Sequence, residues 1–309
     1  MKGLVLKSTG SWYKVISKSG EIYQCRIRGK LKLQDLKTTN PIAVGDRVNF
    51  DLENDIDEKT QGIIFSIEDR TNYIIRKSVH KAGYGHILAA NIDQLVLMIT
   101  LKNPKTSLGF IDRLLVNSES FRIPAVLLFN KIDVMDEKDI LYMKTLASRY
   151  QKLGYESYSI SALKETGIPP VVDILTNRVT LLAGHSGVGK STFVNTLSPE
   201  IAQQIRDISK FSKKGKHTTT FAEMFKLAEE TYLIDSPGIK ELGMIDMEDW
   251  EISHYFPEMR KHLGECKFKD CLHLDEPGCA ITEALSKGEI EEPRYLSYLS
   301  MLENDDNRR

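Results

Sequence analysis

The sequence is poor in cysteine, has almost no net charge and contains no long apolar run. Only four cysteines occur in 309 residues, and three lie between Cys266 and Cys279. This clustering argues against a secreted disulfide scaffold and favours a metal site in a reducing compartment. A net charge of -1 excludes a uniformly basic histone-like binder and a uniformly acidic tail protein. The longest apolar run, around residues 95–101, is far shorter than the roughly 20 residues of a membrane helix.

The amino-terminal residues contain no apolar segment of signal-peptide length. We therefore expect a soluble, cytoplasmic protein without a membrane partner. Hydrophobic residues make up 41% of the chain and charged residues 28%, which is typical of a globular protein. A chain of 309 residues is long enough for two or three domains. The patterns below predict three, over residues 1–69, 70–240 and 241–309.

Residues 1–69 contain short runs of alternating apolar and polar residues, separated by turn signals. This pattern predicts a small β-barrel like the oligonucleotide-binding (OB) fold. Nine Lys or Arg residues fall in positions 1–37, against Glu21 and Asp35. Together with Trp12, Tyr13 and Tyr23, this charge suits an RNA-binding surface. A solvated basic face on a small β domain is the alternative, and the sequence leaves both open.

Between about residues 70 and 240 the pattern changes to strands that alternate with helical segments such as 137–152. This alternation predicts an open, largely parallel α/β sheet. Four of the apolar strands each end at a polar or glycine-rich signal. Ligands of such sheets bind at the carboxyl ends of the strands, so we expect the four signals to form one site.

Residues 184–191 fit the phosphate-loop pattern G-x-x-x-x-G-K-S completely. Its glycines let backbone N–H groups surround phosphates, Lys190 contacts the β- and γ-phosphates, and the Ser191 hydroxyl binds Mg²⁺. An apolar strand precedes the loop and a helical run follows, which argues against a chance glycine-rich turn. Asp235 and Gly238 follow another strand. There Asp235 would help to hold Mg²⁺, and the Gly238 N–H would donate to the γ-phosphate.

Residues 130–133 fit N-K-x-D, a pattern typical of guanine recognition. The Asp133 carboxylate can accept hydrogen bonds from the guanine N1–H and amino group, whereas adenine offers no such donor pair. The motif therefore argues against an ATP-dependent enzyme, because adenine would leave the Asp133 carboxylate unpaired. Asn130 and the Lys131 stem can contact the base, and Ser161 and Ala162 can supply a backbone cradle for its oxygen. A simple helix cap at Asp133 is the alternative.

The base-recognition motif precedes the phosphate loop here, whereas ordinary G proteins have the reverse order. The chain is therefore predicted to be a circularly permuted P-loop GTPase. Such a permutation leaves the strands in place when the original termini lie close together. The predicted nucleotide-binding residues are Asn130, Lys131, Asp133, Ser161, Ala162, Gly184, His185, Ser186, Gly187, Val188, Gly189, Lys190, Ser191, Thr192, Thr219, Thr220, Asp235 and Gly238. Among them, Ser191 and Asp235 are predicted to hold Mg²⁺, and Lys190 also has a catalytic role.

A basic, threonine-rich segment at 213–220 lies where a first switch belongs. One of Thr218, Thr219 and Thr220 is expected to join the Mg²⁺ shell, and Thr219 and Thr220 are the favoured candidates. The residue after Gly238 is Ile239, which has no polar atom to orient water, so intrinsic hydrolysis should be slow. His217 is the candidate catalytic residue for that water. A role for His217 in RNA binding or loop packing is the alternative.

The predicted helical region at 241–309 contains the spacing C-x4-C-x-H-x5-C, formed by Cys266, Cys271, His273 and Cys279. Three thiolates and one imidazole suit tetrahedral Zn²⁺, and four protein ligands leave no open position, so the site is expected to be structural. Buried free cysteines near a histidine are the alternative. The segment has too little apolar content to fold unaided, which favours the metal.

The order of barrel, permuted GTPase motifs and Cys-His cluster resembles the ribosome small-subunit-dependent GTPase A family over essentially the whole chain. This resemblance implies conversion of GTP to GDP and phosphate, slow alone and faster on the small (30S) ribosomal subunit. It also implies rRNA contact, late subunit maturation and release of ribosome-binding factor A. We further expect a monomer with one Zn²⁺ and with Mg²⁺ accompanying GTP or GDP. The alternative is a GTP-regulated RNA- or protein-binding module in which hydrolysis is incidental.

Overall fold

The computed structural model describes residues 1–29, 38–53, 61–77, 85–201, 222–235 and 247–303. Within them, the strands are β1 (Lys2–Ser8), β2 (Tyr13–Ser17), β3 (Ile22–Ile27), β4 (Arg47–Glu53), β5 (Gln61–Ile67), β6 (Tyr73–Lys77), β7 (Gly85–Ala90), β8 (Gln94–Ile99), β9 (Ala125–Phe129), β10 (Glu156–Ser159), β11 (Val179–Ala183), β12 (Glu223–Ala228) and β13 (Thr231–Asp235). The α-helices are α1 (Leu108–Ser120), α2 (Glu137–Lys152), α3 (Ile168–Leu175), α4 (Lys190–Leu197), α5 (Pro257–Arg260), α6 (Ala280–Ser286) and α7 (Glu292–Leu302). Two 3-10 helices span Ile132–Val134 and Asp249–Tyr255.

Strands β1 to β5 form the predicted barrel. They pair in the order β1-β2-β3-β5-β4, and β1 also pairs with β4, which closes the ring. Tyr13 and Tyr23 are buried in the barrel core, so the expectation that they take part in an RNA-binding surface is wrong. Strand alternation turns them inward, while the neighbouring Trp12 is only half-buried. Cys25 is also fully buried there, as a small core residue.

The predicted parallel sheet runs in the order β10-β9-β8-β11-β13, and β12 adds an antiparallel edge strand. All six residues of the central strand β8 are buried because apolar side chains cover both faces of the sheet. The strands that precede the four sequence motifs are β9, β10, β11 and β13. They lie side by side or separated only by β8, so their carboxyl ends meet at one edge.

The predicted helix at 137–152 is present as α2. Asp136 caps its amino terminus, where Asp136 Oδ1 accepts a hydrogen bond from the Asp139 backbone N–H at 3.0 Å. The Asp139 carboxylate in turn accepts a hydrogen bond from the Asp136 backbone N–H, which completes a capping box. This local signal fixes where the helix begins and places residues 130–133 between β9 and α2.

The barrel continues directly into the parallel sheet. Strand β12 ends the parallel sheet but pairs on its other side with β1, at Lys7 and Glu223, and the Lys7 ammonium lies 2.7 Å from the Glu223 carboxylate. On the other side, Arg70 makes a buried bidentate contact with Asp46, with both distances 2.7 Å. These contacts join the barrel to the rest of the chain through backbone pairing and buried charge.

The carboxy-terminal region packs against helix α1. Val116 of α1 lies within the apolar core formed by residues from Ile252 to Met301. Arg294 of α7 is fully buried and bonds Asp112 of α1 at 2.5 Å and Glu258 of α5 at 2.6 Å. The predicted boundary near residue 69 stays a prediction, and the boundary near 240 falls outside the described residues.

Candidate functional site

The phosphate loop follows β11 and leads into α4, as the sequence motif predicts. Gly189 caps α4 with a φ of +101°, and a Cβ placed on it would lie 2.4 Å from the Asn130 side chain. Gly184, with a φ of +144°, would bring a Cβ within 2.6 Å of the Met98 carbonyl oxygen. Only glycine fits these two positions without strain, because they combine left-handed backbone with close neighbours.

Lys190 lies at the first turn of α4, beside the loop that it is expected to serve. Its ammonium donates to the carbonyl oxygens of Gly184 at 2.6 Å and His185 at 3.0 Å. A cation thus lies inside the loop, next to the positive end of the helix dipole. Ser186, Ser191 and Thr192 are exposed to solvent at the same edge.

Asn130 of the base-recognition motif forms hydrogen bonds with both the phosphate loop and the segment at 161–162. Its Nδ2 donates to the Val188 carbonyl of the phosphate loop at 2.8 Å, and its Oδ1 accepts from the Ala162 backbone N–H at 3.0 Å. The side chain is buried, so these hydrogen bonds also satisfy an amide that would otherwise be costly to bury. In this structure the Ala162 N–H is bonded to Asn130, while the Asn130 amide keeps a further acceptor site; the predicted contacts of both residues with the base stay a prediction.

Asp133 presents its carboxylate at the exposed edge of the site. Its Oδ1 accepts a hydrogen bond from the Ser161 hydroxyl at 2.5 Å. The same hydroxyl accepts from the Lys164 backbone N–H at 3.1 Å, so the loop after β10 orients the carboxylate. An exposed, oriented carboxylate is the group that a guanine edge requires.

Lys131 connects the base-recognition motif to the phosphate loop. Its backbone is left-handed, with a φ of +66°, and its ammonium donates to the Gly187 carbonyl at 2.7 Å. The same ammonium contacts the Asn103 carbonyl, in the loop before α1. The aliphatic stem therefore spans the gap between the two motifs, where it can cover one face of a bound base.

Asp235 ends β13 near the phosphate loop. Loss of solvent raises the pKa of its carboxyl above the ordinary value, while the charge of Lys190 opposes that rise. Asp235 pairs with Leu182 of β11, two residues before Gly184, so the end of β13 lies beside the start of the phosphate loop. His217, Thr219, Thr220 and Gly238, which the sequence also assigns to the site, lie outside the described residues.

The four predicted metal ligands converge in the carboxy-terminal region. The ligand atoms of Cys266, Cys271, His273 and Cys279 all lie within 4.8 Å of one another. The sulfur atoms of Cys266 and Cys279 are 3.9 Å apart, and His273 Nδ1 lies 3.6 Å and 3.4 Å from them. Tetrahedral zinc with ordinary bond lengths requires about 3.8 Å between sulfurs and about 3.5 Å between sulfur and nitrogen. The donor set therefore fits a zinc ion.

Neighbouring groups orient the histidine of this cluster. His273 Nε2 lies 3.2 Å from the Ser253 hydroxyl, which leaves Nδ1 directed at the two sulfurs. The Tyr295 hydroxyl donates a hydrogen bond to the His273 carbonyl oxygen at 2.6 Å. The Glu276 carboxylate accepts hydrogen bonds from two backbone N–H groups of the same loop. Burial lowers the pKa of His273, which favours the neutral imidazole that binds metals. Burial raises the pKa of the Cys271 thiol to about 12, so a cation is needed to hold its thiolate at neutral pH.

Comparisons with known proteins agree with this geometry. The profile of the RsgA GTPase family matches residues 67–245, and that of the RsgA N-terminal domain matches residues 2–64. The chain belongs to the RsgA GTPase family. It is therefore an enzyme that hydrolyses GTP, and the resemblance stated from the sequence is confirmed.

Relatives of this family match over nearly their full length. The "Small ribosomal subunit biogenesis GTPase RsgA" of Christiangramia forsetii is 48% identical over 307 residues, covering 99% of this chain and 97% of the relative. The protein of the same description from Cytophaga hutchinsonii is 49% identical, and each chain is covered completely.

Two solved structures have the same architecture. YjeQ from Thermotoga maritima superposes with a TM-score of 0.78 at 34% identity, covering 100% of this chain and 99% of that one. YloQ, described as a circularly permuted GTPase, has a TM-score of 0.74 at 28% identity, with 100% and 96% coverage. The predicted fold class, including the permuted RsgA GTPase domain, is thereby confirmed. Among the described residues, no helix has the length and apolar character needed to cross a bilayer.

The structure also shows contacts that the motifs do not reveal. Phe110 of α1 stacks on His185 of the phosphate loop, and Pro104 lies against Gly187. The sequence carries no local signal for these contacts because residues 104 and 110 are about 80 positions away from the loop. Only the order of strands in the sheet brings them together.

Proposed function

We propose that this GTPase acts in late maturation of the small (30S) ribosomal subunit. The observation that carries the proposal is the full-length similarity to proteins described as small ribosomal subunit biogenesis GTPases, at 48% and 49% identity. In this proposal, hydrolysis is slow in the free protein and faster on the subunit. Completed hydrolysis helps to release ribosome-binding factor A, and the protein works as a cytoplasmic monomer.

The slow intrinsic rate follows from the residue after the D-x-P-G motif. Ile239 has no polar atom, so it cannot orient the attacking water as glutamine does in many GTPases. We assign that role to His217, brought into position by docking, with Thr219 or Thr220 completing the Mg²⁺ shell beside Ser191 and Asp235. Mg²⁺ would neutralise the charge that develops on the phosphates, and Lys190 would hold the β- and γ-phosphates.

The nucleotide is GTP or GDP in this proposal because Asp133 presents a carboxylate that matches guanine. The remaining contacts to the phosphates and to the base come from the other nucleotide-binding residues that the sequence predicts. One Zn²⁺ is held by Cys266, Cys271, His273 and Cys279, where it would stabilise the carboxy-terminal fold and take no part in hydrolysis.

The outer face of the barrel is the proposed rRNA contact. The Arg26 guanidinium lies 4.0 Å above the Trp12 ring, and Arg28, directly after the end of β3, is exposed. Arg26 pairs with Ile63 of β5, so Phe65, which is 42% exposed, lies on the same face. Aromatic rings interleaved with arginines are typical of surfaces that stack bases and contact phosphates.

The decisive experiment is GTP turnover with and without purified small subunits, with large subunits as the control. Stimulation of at least tenfold by small subunits alone would support the proposal. Equal turnover in all three conditions, with GDP binding intact, would contradict it. That result would favour the GTP-regulated binding module instead.

A second experiment tests the barrel face. Trp12→Ala and Arg26→Ala should weaken binding to the small subunit, and Arg26→Ala should also reduce its salt dependence. The matched control is Leu52→Ala, since Leu52 is also exposed on the barrel but lies between Asp51 and Glu53. Binding that is unchanged in both variants would move the RNA contact away from this face.

A further inference from the structure

The segment that leads into helix α1 lies against the outer side of the phosphate loop. The rings of Phe110 and His185 are stacked, with centroids 3.7 Å apart and planes inclined by 27°. Pro104 lies close to Gly187, where a Cβ would be 3.3 Å from the proline Cδ. The phosphate loop is therefore supported by residues outside its own strand and helix.

The same helix is built into the carboxy-terminal region. Asp112, two residues after Phe110, is buried and accepts hydrogen bonds from Arg294 at 2.5 Å and from the Tyr150 hydroxyl at 2.7 Å. Arg294 also bonds Glu258, so three buried charges join α1, α5 and α7. Breaking such a buried network is costly, because it leaves an unpaired charge in a dry environment. Helix α1 therefore contacts the phosphate loop and anchors the region that contains the metal ligands.

A bound phosphate would change the contacts at one end of this connection. The Lys190 ammonium donates to the carbonyl oxygens of Gly184 and His185. A nucleotide phosphate competes for the same ammonium, since charge-assisted bonds to phosphate are stronger than those to a neutral carbonyl. The residue whose carbonyl is affected, His185, is also the one whose ring contacts Phe110.

We propose that Phe110 is a positioning residue for the phosphate loop, through which helix α1 couples nucleotide binding to the stability of the metal-binding region. This inference rests on the nucleotide and zinc assignments proposed above. Coupling between two affinities is reciprocal, so GDP should strengthen zinc binding by the same factor by which zinc strengthens GDP binding. Because GDP stabilises the zinc-bound region, it should also slow the loss of zinc. We expect a factor of about five, at the lower end of the usual range.

The test measures zinc transfer from the full-length, zinc-loaded protein to a chromogenic chelator, with and without saturating GDP and Mg²⁺. In the unmodified chain, GDP should slow the transfer about fivefold. In Phe110→Leu, the effect of GDP should fall below twofold although GDP still saturates the protein. Phe121→Leu is the matched control, because Phe121 lies just after the other end of α1 and packs against Tyr73, with centroids 5.6 Å apart and planes inclined by 50°. It should retain the full effect.

Hydrogen exchange gives a second measurement that does not depend on zinc content. GDP should increase amide protection across residues 247–303 in the unmodified chain and in Phe121→Leu, but not in Phe110→Leu. Should Phe110→Leu fail to fold, Phe110→Met keeps an apolar side chain of similar volume but removes the ring stack, and it is expected to lose the coupling.

Two results would overturn the coupling. One is a zinc-transfer rate and amide protection that do not respond to GDP in the unmodified chain, with GDP binding intact. The other is an undiminished response in Phe110→Leu. Failure of the unmodified chain to bind GDP would be a different result, which overturns the proposed function itself.

Discussion

The nucleotide site and the metal site of this chain are constructed in opposite ways. The proposed nucleotide site takes residues from five segments between positions 130 and 238, and four of these segments follow strands β9, β10, β11 and β13 of one sheet. The metal site takes all four ligands from 14 consecutive positions, from Cys266 to Cys279, and most of that segment is exposed. A sheet can keep its site in order without a ligand, whereas a short exposed loop depends on its metal.

Loss of the metal should therefore have the largest effect. Cys279→Ser should open residues 263–279 and accelerate proteolysis there by more than about 100-fold, since a structural zinc contributes about 10 kcal/mol or more in small metal-dependent folds. Limited proteolysis with mass spectrometry measures the effect. Cys25→Ala is the control, because it removes a buried thiol from the barrel and should leave one zinc per chain. Unchanged cleavage in Cys279→Ser would show that the metal site, like the nucleotide site, keeps its structure without its ligand.

Loss of the loop lysine should abolish tight nucleotide binding without disturbing the fold. Lys190→Ala removes the charged contact to the phosphates, and we expect GDP affinity to fall about 100-fold, corresponding to about 3 kcal/mol. Fluorescent GDP titration measures the affinity, and thermal unfolding checks the fold. Lys138→Ala, at an exposed position of α2, should bind normally. Wild-type affinity in Lys190→Ala would contradict the phosphate-loop assignment.

A change at the base-recognition residue should alter specificity while the phosphate contacts persist. Asp133→Asn cannot accept both guanine hydrogen bonds, so GDP affinity should fall about 30-fold, or about 2 kcal/mol. Xanthosine diphosphate, which has an oxygen where guanine has its amino group, should bind better to the variant than to the unmodified chain. Competition titrations measure both effects, with Glu165→Gln as the control. A parallel loss for both nucleotides would show a general disturbance of the loop.

The smallest effect concerns stability. Burial raises the pKa of Asp235, so its ionised carboxylate destabilises the folded chain above that pKa. The cost disappears as the pH falls through the folded-state pKa and below the ordinary value of about 4. Asp235→Asn should therefore raise the melting temperature by about 1–2 °C at pH 7 in the absence of nucleotide, and less near pH 4. Calorimetry at the two pH values tests this, and a lower melting temperature at pH 7 would contradict it.

Local sequence was sufficient wherever one element carries the whole signal. The capping residues Asp136 and Asp139 begin α2 at the predicted position, and the spacing from Cys266 to Cys279 already contains a complete ligand set. Strand alternation was enough to predict a barrel, but it did not tell which aromatic residues point outward. Tyr13 and Tyr23 turned out to be core residues, whereas Phe65 is exposed.

The sequence by itself was enough to predict the chemistry proposed for this protein: glycines and a lysine for phosphate, an aspartate for guanine, and three cysteines with a histidine for zinc. Tertiary structure decided how these groups support one another. Asn130 joins the base motif to the phosphate loop 58 positions away, and Arg294 reaches Asp112 across 182 positions. No local sequence signal predicts either contact, because each joins residues that are far apart in the sequence. The partners meet only when the strands have assembled in their order and the side chains are buried.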